Sequence, residues 1–244
     1  MKKAIKTAVF TLLFLTLSVS TAYLAYLHFF SSDEKGLSGE WTANLDMTEQ
    51  AAVTALIWLQ DIEAVSISPE DMESYMQDLT IQINLTLEQT DHGEGTFHSS
   101  VLPESYDSCN QAAYEAFAMA FQDLLAQRLR MAGYTNSTDR EAIEALVEET
   151  FGMSTVSYLM SCGPELLPPL EDLQIQYDGR GTYEAIDGIL TRQFDASWPV
   201  ATRVERYIRE GSSLILSEAN GSAEPGLFLD YYPMLYTLKQ PSNQ

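Results

Sequence analysis

The chain has 244 residues, of which 45% are hydrophobic, and a formal net charge of −22. That length and apolar content allow one sizeable core and exclude a disordered chain. All 35 acidic residues follow residue 30, where Lys2, Lys3 and Lys6 no longer offset them; such a surface repels nucleic acid and anionic lipid, so no nucleic-acid partner is expected.

The uncharged run from Ala8 to Phe30 follows the three lysines and precedes Asp33-Glu34. As a helix of about 1.5 Å per residue it reaches across a bilayer core of about 30 Å. The flanking charges place the N-terminus in the cytoplasm and the remainder outside. A cleaved signal peptide is the alternative, with Ala8–Leu17 as its apolar region and Ser20-Thr21-Ala22 at the cut. The apolar run continues through Tyr23, Leu24, Tyr26 and Leu27, which favours an uncleaved anchor. The expected division is an anchor or signal segment over residues 1–30, a tether over 31–36 and an extracytoplasmic domain over 37–244.

In the stretch Glu40 to Met47, Trp41, Ala43, Leu45 and Met47 alternate with polar residues, which predicts a half-buried strand. Thr48–Ile62 has no Gly or Pro and is apolar on most of its surface, so it reads as a helix. Ser68-Pro69 opens a short helix toward Met76, with serine as cap and proline at the first helical position. Leu79 to Glu88 alternates cleanly, and Asp91–Gly95 turns it back into Thr96–Leu102.

The period then changes. A helix capped by Asp107 or Ser108 carries Tyr114, Phe117, Phe121, Leu125 and Leu129 as a stripe as far as Met131. Thr138-Asp139-Arg140-Glu141 reads as a capping box for a second helix that ends at Gly152. Ser154 caps a third, and Gly163-Pro164 and Pro168-Pro169 close the block. The helical insertion thus spans about 103–170.

Period two returns in Arg180–Ile186 and Ile189–Phe194, joined by Asp187-Gly188, and in Arg203–Arg209 and Ser213–Ser217, joined by Glu210-Gly211-Ser212. Asp230–Lys239 is the last predicted strand. Three strands before the block and five after it make an antiparallel eight-stranded barrel, mainly β with an α insertion and closed by pairing the last strand with the first.

Leu37-Ser38-Gly39-Glu40-Trp41 resembles the Gly-x-Trp start of the lipocalin-like (calycin) barrels. Gly181-Thr182-Tyr183 and the Glu210-Gly211 turn are similar to features of lipocalin-like domains in exported proteins of Gram-positive gut bacteria. The resemblance covers roughly Leu37–Lys239. It implies that Trp41 begins strand one at the closed end and that Lys239 packs over its ring from the last strand. It also implies at most the binding of small apolar ligands; the helical block departs from lipocalins proper and bears on their open cup.

The chemical candidates are few. Cys109 and Cys162 bracket the helical block, and two cysteines in an exported chain predict a disulfide. His92 and His98, with Asp91 and Glu94, fall short of the three or four convergent ligands that zinc needs, so no metal is expected. Adjacent acids such as Glu148-Glu149 do not face each other on a helix, and no phosphate-loop, dinucleotide or Gly-x-Ser-x-Gly pattern occurs, so neither a cofactor nor a catalytic residue is expected. Arg192, beside Leu190 and Phe194, reads as an outward or rim residue. Phe228, Tyr231, Tyr232 and Tyr236 form an aromatic cluster that reads as core and rim, with a pocket lining as the alternative. The functional expectation is a membrane-tethered, non-enzymatic module that binds a small apolar ligand or an envelope protein. The rival is a structural or interaction protein whose barrel is filled by its own side chains.

Overall fold

The computed structural model describes residues 36–61, 67–196, 198, 201–219 and 232–239. The chain divides into two compact units, Met1–Ser38 and Gly39–Gln244. The Ala8–Phe30 segment, Phe228 and Tyr231 lie outside the described residues. Among the described residues no helix is long and apolar enough to cross a membrane.

The second unit is a closed barrel in which every strand pairs antiparallel with its neighbour: β1 (Gly39–Asp46), β2 (Thr80–Asp91), β3 (Glu94–Val101), β4 (Gly179–Ile186), β5 (Ile189–Phe194), β6 (Thr202–Glu210), β7 (Ser213–Glu218) and β8 (Met234–Leu238). Closure is the expected one. Trp41 faces Leu238 and Ala43 faces Tyr236 across the β1–β8 seam, and the Lys239 amide donates to the Glu40 carbonyl at 2.8 Å. Closing the sheet leaves no strand edge to pair with another chain. The Asp187-Gly188 hairpin forms as its sequence demands, with φ of 50° and 78° at the two turn residues.

The alternation sets the core. Ala43 and Leu45 from β1 and Ile81, Ile83, Leu85 and Leu87 from β2 point inward, none more than 3% exposed. Burying each of the leucine and isoleucine side chains contributes about 1.5–3 kcal/mol.

Six helices join this barrel: α1 (Thr48–Asp61), α2 (Pro69–Tyr75), α3 (Pro103–Met131), α4 (Arg140–Phe151), α5 (Thr155–Cys162) and α6 (Leu170–Tyr177). Ser68 caps α2 in a reciprocal box with Asp71, with Pro69 opening the helix. Three readings of the helical block need correction. α3 starts four residues before Asp107, with Pro103 in the first turn and no side-chain cap at Leu102; proline's fixed φ and missing donor suit that position, so no capping residue is required. The α4 cap is Asp139, whose carboxylate accepts the Ala142 amide at 2.9 Å, rather than Thr138. The block does not end at Pro168-Pro169: α6 follows and buries Leu173 and Tyr177.

Polar clamps hold the helices together. Glu144 of α4 accepts from Gln122 of α3 at 2.5 Å and from the Thr155 hydroxyl and amide of α5 at 2.5 and 3.0 Å. Asp123 of α3 accepts from Arg140 of α4 at 3.0 Å and from Tyr75 of α2 at 2.9 Å. The Arg140 hydrogen bond holds the Asp123 carboxyl below the usual aspartate range. A carboxylate so lowered stabilises the fold above its unfolded pKa, and the contribution disappears as pH falls through the folded value.

The disulfide expectation is corrected: both thiols are free, Cys109 buried and Cys162 exposed. Cys109 faces the β2 wall, lining a surface groove with Leu79, Gln82 and Ser105. The segment after α5 is held at Tyr114, whose hydroxyl donates to the Pro164 carbonyl at 2.8 Å. Tyr114 lies five residues beyond Cys109, or about 7.5 Å along a helix rising about 1.5 Å per residue, and on another side of it. That arrangement does not bring the two Cβ atoms to the roughly 3.5–4.5 Å a disulfide needs. Burial pushes the Cys109 thiol up to about 11, so about one molecule in a thousand is thiolate there at pH 8. Iodoacetamide at pH 8 is therefore expected to label one thiol, Cys162, in native protein and two in urea, as read by intact mass. Two fast-reacting native thiols would contradict the burial, and none in urea without reductant would restore the disulfide.

Candidate functional site

The barrel interior changes character from one wall to the other. β1 and β2 supply aliphatic side chains, whereas β5 and β6 supply charge. On β5 the inward positions are Leu190, Arg192 and Phe194; on β6 they are Arg203, Glu205, Tyr207 and Arg209, as the register and burial show. Arg192 stands directly opposite Arg203, which makes Glu205 its diagonal neighbour, within reach of a long side chain. Arg192 Nε and Nη2 donate to the two Glu205 oxygens at 2.8 Å each. The pair is 2% and 1% exposed. The Tyr232 hydroxyl donates to Glu205 Oε1 at 2.6 Å.

Aromatic rings enclose the pair. Arg192 Cζ lies 5.4 Å from the Phe97 centroid and 5.8 Å from that of Phe194. The two rings meet edge to face at 5.0 Å. Gly181 sits between them in register on β4, and a Cβ there would strike the Gln193 carbonyl. Arg203 continues the layer, with its Cζ 5.7 Å from the Phe194 centroid and its Nη2 donating to the α6 carbonyl of Gln176 at 2.9 Å.

The electrostatics follow from this enclosure. Burial is the largest influence on Arg192 and lowers its pKa, but the Glu205 charge, Tyr236, Tyr232 and the hydrogen bonding to Glu205 together outweigh it, so the guanidinium pKa is raised on balance. Burial, reinforced by the Glu205 charge, raises the Tyr232 phenol well above its ordinary value. Tyr236, also inward, is pushed up to about 12 by burial, with Arg192 acting against the shift. Arg192, Glu205 and Tyr232 are thus bonded to one another, with Arg203 as a second cation in the layer and the Tyr236 hydroxyl donating to Met234 Sδ at 3.8 Å. Nearby, the buried Tyr183 hydroxyl has no hydrogen-bond partner among the described residues.

Arg192 is therefore not an outward or rim residue. The parity of Leu190 and Phe194 already points it inward, and the barrel tolerates the charge because Glu205 answers it with two hydrogen bonds. Glu205 is the residue that sequence reasoning missed. The only signal was indirect: a buried arginine requires an acid on the paired strand. Of the aromatic cluster, Tyr232 and Tyr236 come to the interior, as placed above.

Trp41 is 0% exposed, and the cation over its ring is Arg209 of β6, with Cζ 5.4 Å from the centroid. Lys239 is exposed and contributes its backbone amide to the seam instead. The difference is geometric. Trp41 points inward, and Arg209 lies on the inward face of β6, whereas Lys239 follows the last residue of β8. His92 and His98 are both exposed, and among the described residues no group of three or more His, Cys, Asp or Glu is placed to hold a metal. No family model, curated protein or solved structure matches the chain.

Proposed function

We propose that the chain is a non-enzymatic, membrane-tethered module on the extracytoplasmic side, which works through its outer surface with an envelope partner while its barrel serves as a filled scaffold. The Arg192–Glu205 pair carries this reading. A site that takes an anionic or cationic substrate keeps a charge available, whereas here each charge is spent on the other and Tyr232 completes the acid. Six apolar inward side chains support it: Trp41, Ile83, Leu85, Leu190, Leu214 and Leu216 are 0% exposed, so no water-sized void adjoins them. An apolar-ligand cup would instead show exposed apolar side chains around a hollow. The tether rests on the Ala8–Phe30 run and the lysines before it.

Thermal unfolding with a panel of apolar ligands, from long-chain fatty acids to steroids, tests the reading. A ligand that occupies the native barrel raises Tm progressively with its concentration. The expected result is no concentration-dependent rise for any member. A saturable, one-to-one stabilisation that is lost in a barrel variant such as Leu85→Trp would overturn it and favour the ligand cup.

A further inference from the structure

The surface groove that Cys109 lines arises from the topology. Ile83 and Val101 are the last β2–β3 pair. Beyond them Pro103 turns the chain into α3, so the first residues of β2 meet a helix in place of a strand. The Leu102 amide donates to the Gln82 carbonyl and the Gln82 amide donates to Ser105 Oγ, each at 2.9 Å. Beside that clamp the two elements enclose a groove of about 440 Å³, a size at which pockets hold small molecules.

Its floor is apolar and its rim offers acceptors. Leu79 and Cys109 lie in it, 2% and 4% exposed. The Cys109 thiol is buried there without a hydrogen-bond partner among the described residues. Asp78 stands on the strand side and Glu104 on the helix side, both exposed, and neither carboxylate has an ion-pair partner among the described residues. The serine protons are already donated inward: Ser105 to the Leu102 carbonyl and Ser108 to the Glu104 carbonyl, each at 2.7 Å. Ser108 therefore presents only lone pairs. No Lys, Arg or His of the described residues lines the groove. The Asp46 carboxylate adds to the burial that raises the Cys109 thiol, so the negative field reaches the floor.

These groups select among ligands. An anion is repelled by three carboxylates. A divalent cation needs a fuller ring of oxygens, and among the described residues no group of three or more His, Cys, Asp or Glu is placed to hold one. A neutral molecule leaves both rim carboxylates unanswered. A primary ammonium on an alkyl chain answers every feature: its methylenes cover Leu79 and Cys109, and its N–H groups donate to the carboxylates and to Ser108.

We propose that the groove between β2 and α3 binds a primary alkylammonium group, carried by a free amine or by a lysine side chain of an envelope partner. The proposal rests on the reading that the module acts through its outer surface, and it names the chemistry that surface recognises.

The test uses the full chain in phosphatidylcholine nanodiscs, with empty discs as reference, and ligand-observed saturation-transfer NMR. The probes are butylammonium, butanol, butyrate and a lysine blocked at both backbone ends. Butylammonium should bind saturably, butanol about tenfold more weakly, and butyrate not at all. Asp78→Asn with Glu104→Gln should weaken butylammonium about tenfold. Ser108→Trp, which fills the groove from an exposed helix position, should abolish binding. Glu148→Gln with Glu149→Gln removes equal charge from exposed positions on α4 outside the groove and should leave binding unchanged; circular dichroism confirms that each variant is folded. Binding of the blocked lysine as tight as that of butylammonium places the group on a polypeptide, and weaker binding places it on a free amine; either sustains the proposal. Equal binding of butanol or butyrate, an unaffected Ser108→Trp variant, equal weakening by the α4 variant, or no binding at all would each overturn it. None of these outcomes touches the filled barrel, which the apolar-ligand panel tests separately.

Discussion

Glu205→Ala is expected to destabilise the protein by about 3–5 kcal/mol, because it leaves the Arg192 guanidinium buried without its anion. A typical domain has about 5–15 kcal/mol in total, so the variant should be partly unfolded at room temperature or nearly so. The size of the loss comes from the asymmetry of buried ion pairs. Desolvation of each ion is costly, and the pair repays it only through its two hydrogen bonds at 2.8 Å and the third from Tyr232. Removing one partner keeps the desolvation and loses the repayment. Removing both is a different experiment: Arg192→Met with Glu205→Leu keeps the volume and discards both charges, and should cost far less than Glu205→Ala. Urea unfolding of the two variants and the parent separates the cases. A loss under about 1 kcal/mol for Glu205→Ala would show that water reaches the arginine, and with it that the barrel is open.

How much of this could be read from the sequence depends on what each signal measures. Period two reports which strands exist and which face is apolar, and it placed all eight strands and the β1–β8 seam. Asp187-Gly188 specifies its hairpin because the turn needs two positive φ values. The periodic signal failed where the interior is polar. β6 carries Val204 and Ile208 on one face and Arg203, Glu205, Tyr207 and Arg209 on the other. Hydrophobicity alone turns Ile208 inward, yet it is 56% exposed, because the strand's facing is fixed by the register with β5 and β7 and by the match of Glu205 to Arg192. The cysteine parity failed for a related reason: composition reports that two thiols exist, not that helix packing directs them to different sides. α6 was missed because a two-turn helix behind two prolines has little periodicity to show. Phe121 was legible as part of a core stripe; that its ring meets Trp58 of α1 and Tyr158 of α5 is a tertiary fact.

Trp41→Ala is the second large loss expected, about 3–5 kcal/mol, for removal of a fully buried indole. At about 2–4 °C per kcal/mol for a chain of this size, Tm should fall by roughly ten degrees. The effect identifies more than a core residue, because the ring sits at the seam, opposite Leu238 of β8, and under Arg209 of β6. Arg209→Ala should cost less, through its stem packing and about 0.5–1 kcal/mol of cation–π attraction. In the Trp41→Ala background that attraction is already gone, so the two losses should fall short of additive by about that amount. Lys239→Ala should stay within about 0.5 kcal/mol of the parent, as exposed side chains do, and should be additive with Trp41→Ala. Denaturant unfolding of the two cycles assigns the cation. Coupling between Trp41 and Lys239, with none to Arg209, would move the closing contact to β8 and restore the pairing that the lipocalin-like pattern implies.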